Sequence, residues 1–381
     1  MHNESFLKEV SWVNMLKLRF SVGTSGSQHF NAYQAIQTYR YFLDDKYYAW
    51  NGSSLIAMGN PDLKWQQKRD YNIGLDVKLW DNRITIGGDF YIAKTNDLIS
   101  TLTLPAANGF TTYIENIGSL KNTGYELRLS AYVLRKDQMS WSVSLAGIHN
   151  KNKIVEVSQA LLDAQNAIES EDLVNPNVQF RPGYSSNTIW TVRSAGIDPG
   201  TGKEVFISRD GNRTYNWSAS DIVATGVSDP KLEGNISSMF RYKGLSLNVS
   251  FGYRFGGQIY NSTLANKVEV SKTAIGWNVD ARVFHDRWKN IGDQASFKGL
   301  DDFTPTNKTS RFVQDETTFR CQNMTLQYEL KSQALNKLLG IDYCLFSAST
   351  SDLFYISTVK RERGTSYPFS RQFSLGVNVV F

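Results

Sequence analysis

Long apolar runs are missing from this chain of 381 residues. No stretch approaches the ~18 consecutive apolar residues that a membrane-crossing helix requires. Helical spans are thereby excluded, whereas spans made of strands, which need only about ten alternating residues each, are not. Cysteine is scarce: the two residues, Cys321 and Cys344, form no close-spaced pair, so neither a disulfide framework nor a zinc site is indicated. The four histidines, His2, His29, His149 and His285, are far apart and match no metal-ligand spacing. Positive charge is modest and scattered, with a net charge of +5 and no basic run, which argues against a nucleic-acid partner. The opening MHNESFLKEV has neither a basic n-region nor an apolar h-region, so no signal peptide is expected in this chain.

Catalytic motifs are absent as well. No G-x-S-x-G nucleophile elbow occurs. The segment GIDPGTGKE fails as a phosphate loop, because Ile197 stands five positions before Gly202 and Glu204 replaces the hydroxyl that would hold magnesium. A tight turn in a loop is the better reading. Asp76, Asp89, Glu126 and Glu329 fall on the polar faces of strands, where they serve as wall groups rather than an acid/base pair. No catalytic residue, metal or cofactor is assigned, and the chain is read as a non-enzyme.

What is present is aromatic residues and alternation. Tyr, Phe and Trp make up 13% of the chain, yet the mean hydropathy is −0.36, which suits strands that are apolar on one face and polar on the other. In YNIGLDVKLWDNRITIGGDFYIAK, Tyr71, Ile73, Leu75, Val77 and Leu79 alternate with polar or small residues. After Trp80-Asp81-Asn82 the apolar set resumes at Ile84 and Ile86, which predicts a hairpin. GYELRLSAYVL, SWSVSLAG, GLSLNVSFGYRF, CQNMTLQYEL and LKLRFSVG repeat the pattern, IDYCLFS less cleanly, and about ten strands are expected. Links near residues 81, 136, 243 and 334 are short, while those around 25–66, 100–113, 157–231, 258–310 and 357–368 are mostly long and polar. Soluble sandwiches favour short connections throughout. Short–long alternation is the plan of an outer-membrane barrel, with short periplasmic turns and long external loops. Trp12, Trp80 and Trp141 lie beside short turns, where an interfacial aromatic girdle would place them; anchoring of ordinary hairpins is the competing reading.

Beyond alternation, the wording NPDLKWQQKRDYNIGLDVKLWDNRITIGGDFYIAKTNDLI and GFTTYIENIGSLKNTGYELRLSA resembles the SusC/RagA family of TonB-dependent outer-membrane transporters of Bacteroidetes. NKNKI, AGIDPGTGKEVF, SDPKLEGNISSMFRYKGLSLNVSFGYRFGGQIYN, TSRFVQDETTFRCQNMTLQYEL and the closing YPFSRQFSLGVNVVF fit the same pattern, in order, from about Ser5 to Phe381. The resemblance implies an all-β fold: about ten antiparallel strands of a plugged barrel of about 22. Residues 1–381 would be the C-terminal part of that barrel, with signal peptide, TonB box, plug and the earlier strands having no counterpart. It further implies import of glycans, oligosaccharides or peptides, powered through TonB, with a SusD-like lipoprotein as lid and an outer-membrane location. A part of this kind is not expected to transport alone.

Two alternatives remain at this stage: a self-contained small outer-membrane barrel acting as passive pore or adhesin, and a soluble β-rich binding domain. Candidate substrate contacts are Tyr184, Trp190, Asp198, Trp217, Trp277 and Trp288, aromatic and polar residues of long loops suited to sugar or peptide recognition; packing of the loops on themselves or on the lid is the competing account. In QFSLGVNVVF, Phe373, Leu375, Val377, Val379 and Phe381 form one apolar face. A last strand ending on an aromatic resembles the signal read by the barrel-assembly machinery, and Phe381 would join the periplasmic girdle.

Overall fold

The computed structural model describes residues 10–28, 33–103, 110, 112–169, 176–269, 280–302, 304–362 and 371–381. In chain order the strands are β1 (Val13–Ser27), β2 (Thr38–Tyr47), β3 (Trp50–Ala57), β4 (Gln66–Leu79), β5 (Ile84–Thr103), β6 (Thr112–Lys136) and β7 (Met139–Val157). Helix α1 (Gln159–Glu169) follows, then β8 (Thr188–Ile197), β9 (Glu204–Ile207), β10 (Arg213–Thr214) and β11 (Ile222–Val227). The chain continues through β12 (Leu232–Tyr242), β13 (Leu245–Tyr260), β14 (Val313–Leu330), helix α2 (Gln333–Leu339), β15 (Tyr343–Ser351), β16 (Tyr355–Ser357) and β17 (Phe373–Val380).

Ten of these strands make one antiparallel path, β1-β4-β5-β6-β7-β12-β13-β14-β15-β17. The eleventh, β16, pairs with β14 beyond the end of β15, past a break where Asp352 takes a φ of 54°. It therefore continues the β15 position rather than adding a new one, and about ten strands is the right count. The sheet is open: among the described residues, β1 and β17 each have one neighbour. A closed small barrel is not what these strands form.

Links alternate as expected at residues 80–83, 137–138 and 243–244, but the link near residue 334 is not short: it runs over residues 331–342 and carries helix α2. At one end β4–β5, β6–β7 and β12–β13 are joined by residues 80–83, 137–138 and 243–244, and β14–β15 by α2 and its flanks. Trp80, Asp81 and Asn82 have φ of 50°, 52° and 61°, so the tight turn uses left-handed backbone that Asp and Asn tolerate best. At the other end lie β2–β3, the far ends of β5 and β6, helix α1 with β8–β11, the described residues 261–269, 280–302 and 304–312, and residues 352–362. β1 starts and β17 ends at the short-link end, since Val13 pairs with Leu79 and Val380 with Tyr343.

Register makes each face chemically uniform. Leu16, Val77, Ile86, Leu129, Leu145, Ile236 and Phe251 lie side by side across seven strands. Two residues along β1 and β4 the apolar pattern repeats at Leu18 and Leu75, which are 60% and 43% exposed. Apolar side chains this open over a whole sheet face require a solvent other than water, and lipid is the one that fits. From Leu79 to Tyr71 the apolar face of β4 runs nine residues, about 27 Å along the strand, commensurate with the ~25 Å apolar band of an outer-membrane barrel once tilt is included. No helix among the described residues is long and apolar enough to cross a membrane.

The two clusters of buried apolar residues lie toward the long-link end rather than along the apolar face of the wall. β8–β11 form a separate four-stranded sheet, whose core is Trp190, Val192, Phe206 and Ile222, with Trp217 and Ala219 packed against it. Leu161 of α1 and Ile117 of β6 make a second cluster, joined by Phe180 and the far end of β5.

Candidate functional site

The face opposite the apolar one carries charge. Arg19, Gly74, Asp89, Glu126, Ile148, Glu233 and Arg254 form one lateral row. Gly74 lets two side chains meet over its strand: a Cβ there would lie 2.5 Å from Asp89 and 2.6 Å from Arg19. Arg19 Nη1 is 2.9 Å from Asp89, its Nε donates to Asp76 at 2.8 Å, and Arg128 adds a 2.6 Å bond to Asp89. Tyr91 uses the same device one strand on. Its ring passes over Gly124 and its hydroxyl donates to Asn150 at 3.2 Å. Two cavities of about 640 Å³ each sit on this face, one at Arg19, Asp89, Tyr91 and Asn150, the other at Glu233, Arg254, Glu316 and Arg320. Asp76, Asp89 and Glu126 thus occupy the polar wall as expected, Asp76 and Asp89 tied up in ion pairs with arginines rather than with each other.

Above the wall, the external segments are locked by a buried ion cluster that sequence reading missed. Arg311, just before β14, grips two carboxylates. Its Nη2 donates to Glu204 of β9 at 2.8 Å and to Glu269 at 2.6 Å, and its Nη1 donates to Glu269 at 2.5 Å and to the Ser296 carbonyl at 2.7 Å. The side chains of Glu204 and Glu269 are 4% and 0% exposed. Burial alone would push the Arg311 guanidinium down, but Glu269 and Glu204 outweigh it and hold its pKa above the ordinary arginine value. Beside them the buried Arg287 donates to the carbonyls of Val283, Lys298 and Val268, which ties the 280–302 segment into one piece. Glu204 and Arg311 are 107 positions apart, so no local spacing could have linked them.

The six loop residues proposed as ligand contacts separate into distinct environments. Trp190 is 4% exposed and belongs to the core of the loop sheet, and Trp217 packs against the same cluster, its indole nitrogen donating to the Lys308 carbonyl at 3.4 Å. Tyr184 meets Trp190 edge-on at 5.0 Å and keeps 46% of its surface open. Asp198 opens the β8–β9 turn, accepting from Gly200 N at 3.0 Å, Thr201 Oγ1 at 2.7 Å and Tyr215 Oη at 2.8 Å. The Thr201 and Gly200 donors, with Tyr215 adding to them, hold its carboxyl below the usual range. Trp288 covers that turn: its indole donates to the Pro199 carbonyl at 2.8 Å, and a Cβ on Gly202, whose φ is +70°, would lie 2.5 Å from the ring. The GIDPGTGKE turn is thus a six-residue connection clamped by Trp288. Trp277 lies outside the described residues.

Trp12, Trp80 and Trp141 lie at the short-link end, and the C-terminal residues on the apolar face. Trp12 and Trp80 stack at 5.8 Å, with 49% and 50% exposure, and Trp141 is 36% exposed. On the edge strand β17, Phe373, Leu375, Val377 and Val379 point to the apolar side, Leu375 with 87% of its surface open, and Phe381 follows directly. Cys321 is buried and Cys344 half-buried, and both thiols are free.

Known proteins give this geometry a context. Residues 10–261 match the family model described as TonB dependent receptor-like, beta-barrel. The chain is 24% identical to TonB-dependent receptor P39 of Formosa agariphila, over 99% of this chain and 41% of that protein. It is 27% identical to TonB-dependent receptor SusC of Bacteroides thetaiotaomicron, over 99% of this chain and 39% of that protein. The solved RagAB peptide transporter superposes with a TM-score of 0.81 at 24% identity, over 99% of this chain and 42% of that one. The chain therefore spans about two fifths of the length of these relatives. An open ten-strand meander, lipid-facing on one side and charged on the other, is what two fifths of such a barrel has to be, and with the match extending over most of its length this chain belongs to the TonB dependent receptor-like β-barrel family.

Proposed function

We propose that the chain supplies the C-terminal wall and external loops of a SusC-type importer that carries glycans, oligosaccharides or peptides across the outer membrane. In this reading the TonB box and plug belong to the remainder of such a receptor, and a SusD-like lipoprotein closes over the loops. Trp12, Trp80, Trp141 and Phe381 form the periplasmic girdle, and the Phe373–Phe381 face addresses the chain to the barrel-assembly machinery. Tyr184 and the surfaces of the loop sheet face incoming nutrient, whereas Trp190 and Trp217 shape that surface from beneath.

The observation that carries this reading is the two-faced wall in register across seven strands, together with a SusC relative aligned over 99% of the chain. A pore or adhesin reading gains no support from an open sheet. The test is uptake of labelled oligosaccharide and peptide pools in a parent strain and in one lacking the encoding gene. Loss of uptake of one pool, and the same loss when the inner-membrane proton gradient is collapsed, is the expected result. Unchanged uptake of both pools overturns the reading. Cells given only these 381 residues should show no energy-dependent uptake, because the sheet leaves two free edges and encloses no lumen.

A further inference from the structure

Toward the long-link end, the strands that carry the apolar row of Leu16, Val77, Ile86, Leu129 and Leu145 bring Thr24, Arg69, Lys94, Lys121 and Lys153 side by side. On every strand the offset between the two rows is even, and no bulge intervenes, so both rows share the apolar face. The four cations are exposed, as is Lys151, which lies one row nearer the apolar band. We propose that this basic row binds the phosphate groups of a phosphorylated glycolipid in the outer leaflet of the membrane. The proposal needs the wall to face lipid, but not the nutrient reading.

The row stands at the height of a headgroup. From Leu79 to Arg69, β4 runs about 34 Å, which a tilt of about 40° reduces to about 26 Å, the outer edge of the ~25 Å apolar band. Just inside that edge Phe20, Ile73, Phe90, Tyr125 and His149 form another lateral row, in which Phe20, Phe90 and Tyr125 are exposed. Aromatic side chains at such a level mark a membrane interface. An occupant that covers both rows must join an anionic head to hydrocarbon, and a lipid does so in one molecule. A solute passing along the polar face never meets these cations, and an acidic protein gains nothing from the apolar residues beneath them.

Charge favours the same occupant. Like charges directly opposite on neighbouring strands destabilise a sheet. Here three such pairs follow one another, Arg69–Lys94, Lys94–Lys121 and Lys121–Lys153. None of the four is ion-paired among the described residues. Asp70, next to Arg69 in the chain, faces the polar side and pairs with Lys68 at 2.9 Å. With strands about 4.8 Å apart the row is about 14 Å wide, and long side chains can converge from it on one headgroup. A phosphate over the row relieves the repulsion, and the Arg69 guanidinium can hold it with two parallel bonds.

The test uses the protein purified from its own outer membrane in mild detergent, with a binding titration in micelles as readout. Lipid A, dephosphorylated lipid A and sodium phosphate are the probes. Lys94→Gln with Lys121→Gln removes two exposed cations, and circular dichroism checks the fold. Lys203→Gln with Arg213→Gln removes the same charge from exposed positions of the loop region and serves as control. Lipid A should bind, and K94Q/K121Q should weaken it about 30-fold, as two cations at an anionic membrane surface would. Should that variant fail to fold, Arg69→Gln with Lys153→Gln asks the same of the ends of the row. Equal binding of dephosphorylated lipid A overturns the phosphate assignment. Sodium phosphate that binds as tightly as lipid A overturns the lipid assignment. A row variant that binds like the control, or no binding of lipid A at all, overturns the site. These outcomes are independent of nutrient uptake, whose loss or persistence bears only on the importer reading.

Discussion

The wall and the loop sheet of this chain solve burial in opposite ways. On the wall, Leu18, Ile73, Leu127 and Leu375 turn 51% or more of their surface outward, toward a solvent other than water. In the loop sheet, Val192 is fully buried and Trp190 nearly so, as in any protein surrounded by water. Ion pairs differ by degree: on the wall Arg19 keeps 34% of its side chain open over a buried Asp89, whereas in the loop segments Arg311, Glu204 and Glu269 are all at most 10% exposed. One chain thus folds against two solvents. The stability of each region should respond to a different kind of substitution.

The largest separation should come from Arg311→Ala, which strands Glu204 and Glu269 as buried unpaired charges at a cost of about 3–5 kcal/mol. Hydrogen exchange should show β8–β11 losing protection while β4–β6 keep theirs; equal loss in both would break the comparison. Leu127→Arg reverses the contrast. In a bilayer it should destabilise the wall by about 2–4 kcal/mol, read by urea titration in vesicles with the receptor intact, and leave loop exchange untouched. Gly74→Ala forces the Arg19–Asp89 pair aside and should cost about 1–3 kcal/mol. In an Arg19→Met background the cost should shrink, which a double-mutant cycle measures. The smallest effect is electrostatic. Asp198 has a folded pKa below its unfolded value near ~3.9, so the stability it adds to the β8–β9 turn is complete above that value and is lost as pH falls through the depressed one. Trp288 fluorescence should change only in that acidic window, and D198N should abolish the change.

The wall was legible in the sequence and the loops were not, for a physical reason. A strand between lipid and a polar lumen must alternate at every step, so Tyr71 to Leu79 or Leu245 to Phe251 announce themselves without any partner. The loop core is assembled from single residues of short strands, Trp190, Phe206 and Ile222, which carry no period. A buried loop aromatic and a ligand-stacking one sit in the same polar surroundings in sequence, so nothing in the sequence separates Trp190 from Tyr184, whose exposures are 4% and 46%. In sequence Glu204 stands out only as a departure from a phosphate loop, because its partner Arg311 sits 107 positions away.

Tyr91 passes over Gly124 on the polar face. On the apolar face Tyr253 does likewise across Gly234 and Gly147, its hydroxyl donating to the Ala146 carbonyl at 2.8 Å. A slip of one residue between neighbouring strands would drive either ring into a side chain on the strand it crosses. For a given number of strands the stagger dictates the tilt, and with it the diameter of the cylinder. Two tyrosines lying on three glycines therefore act as a gauge, fixing the stagger that a closed barrel would take from within a single stretch of its circumference.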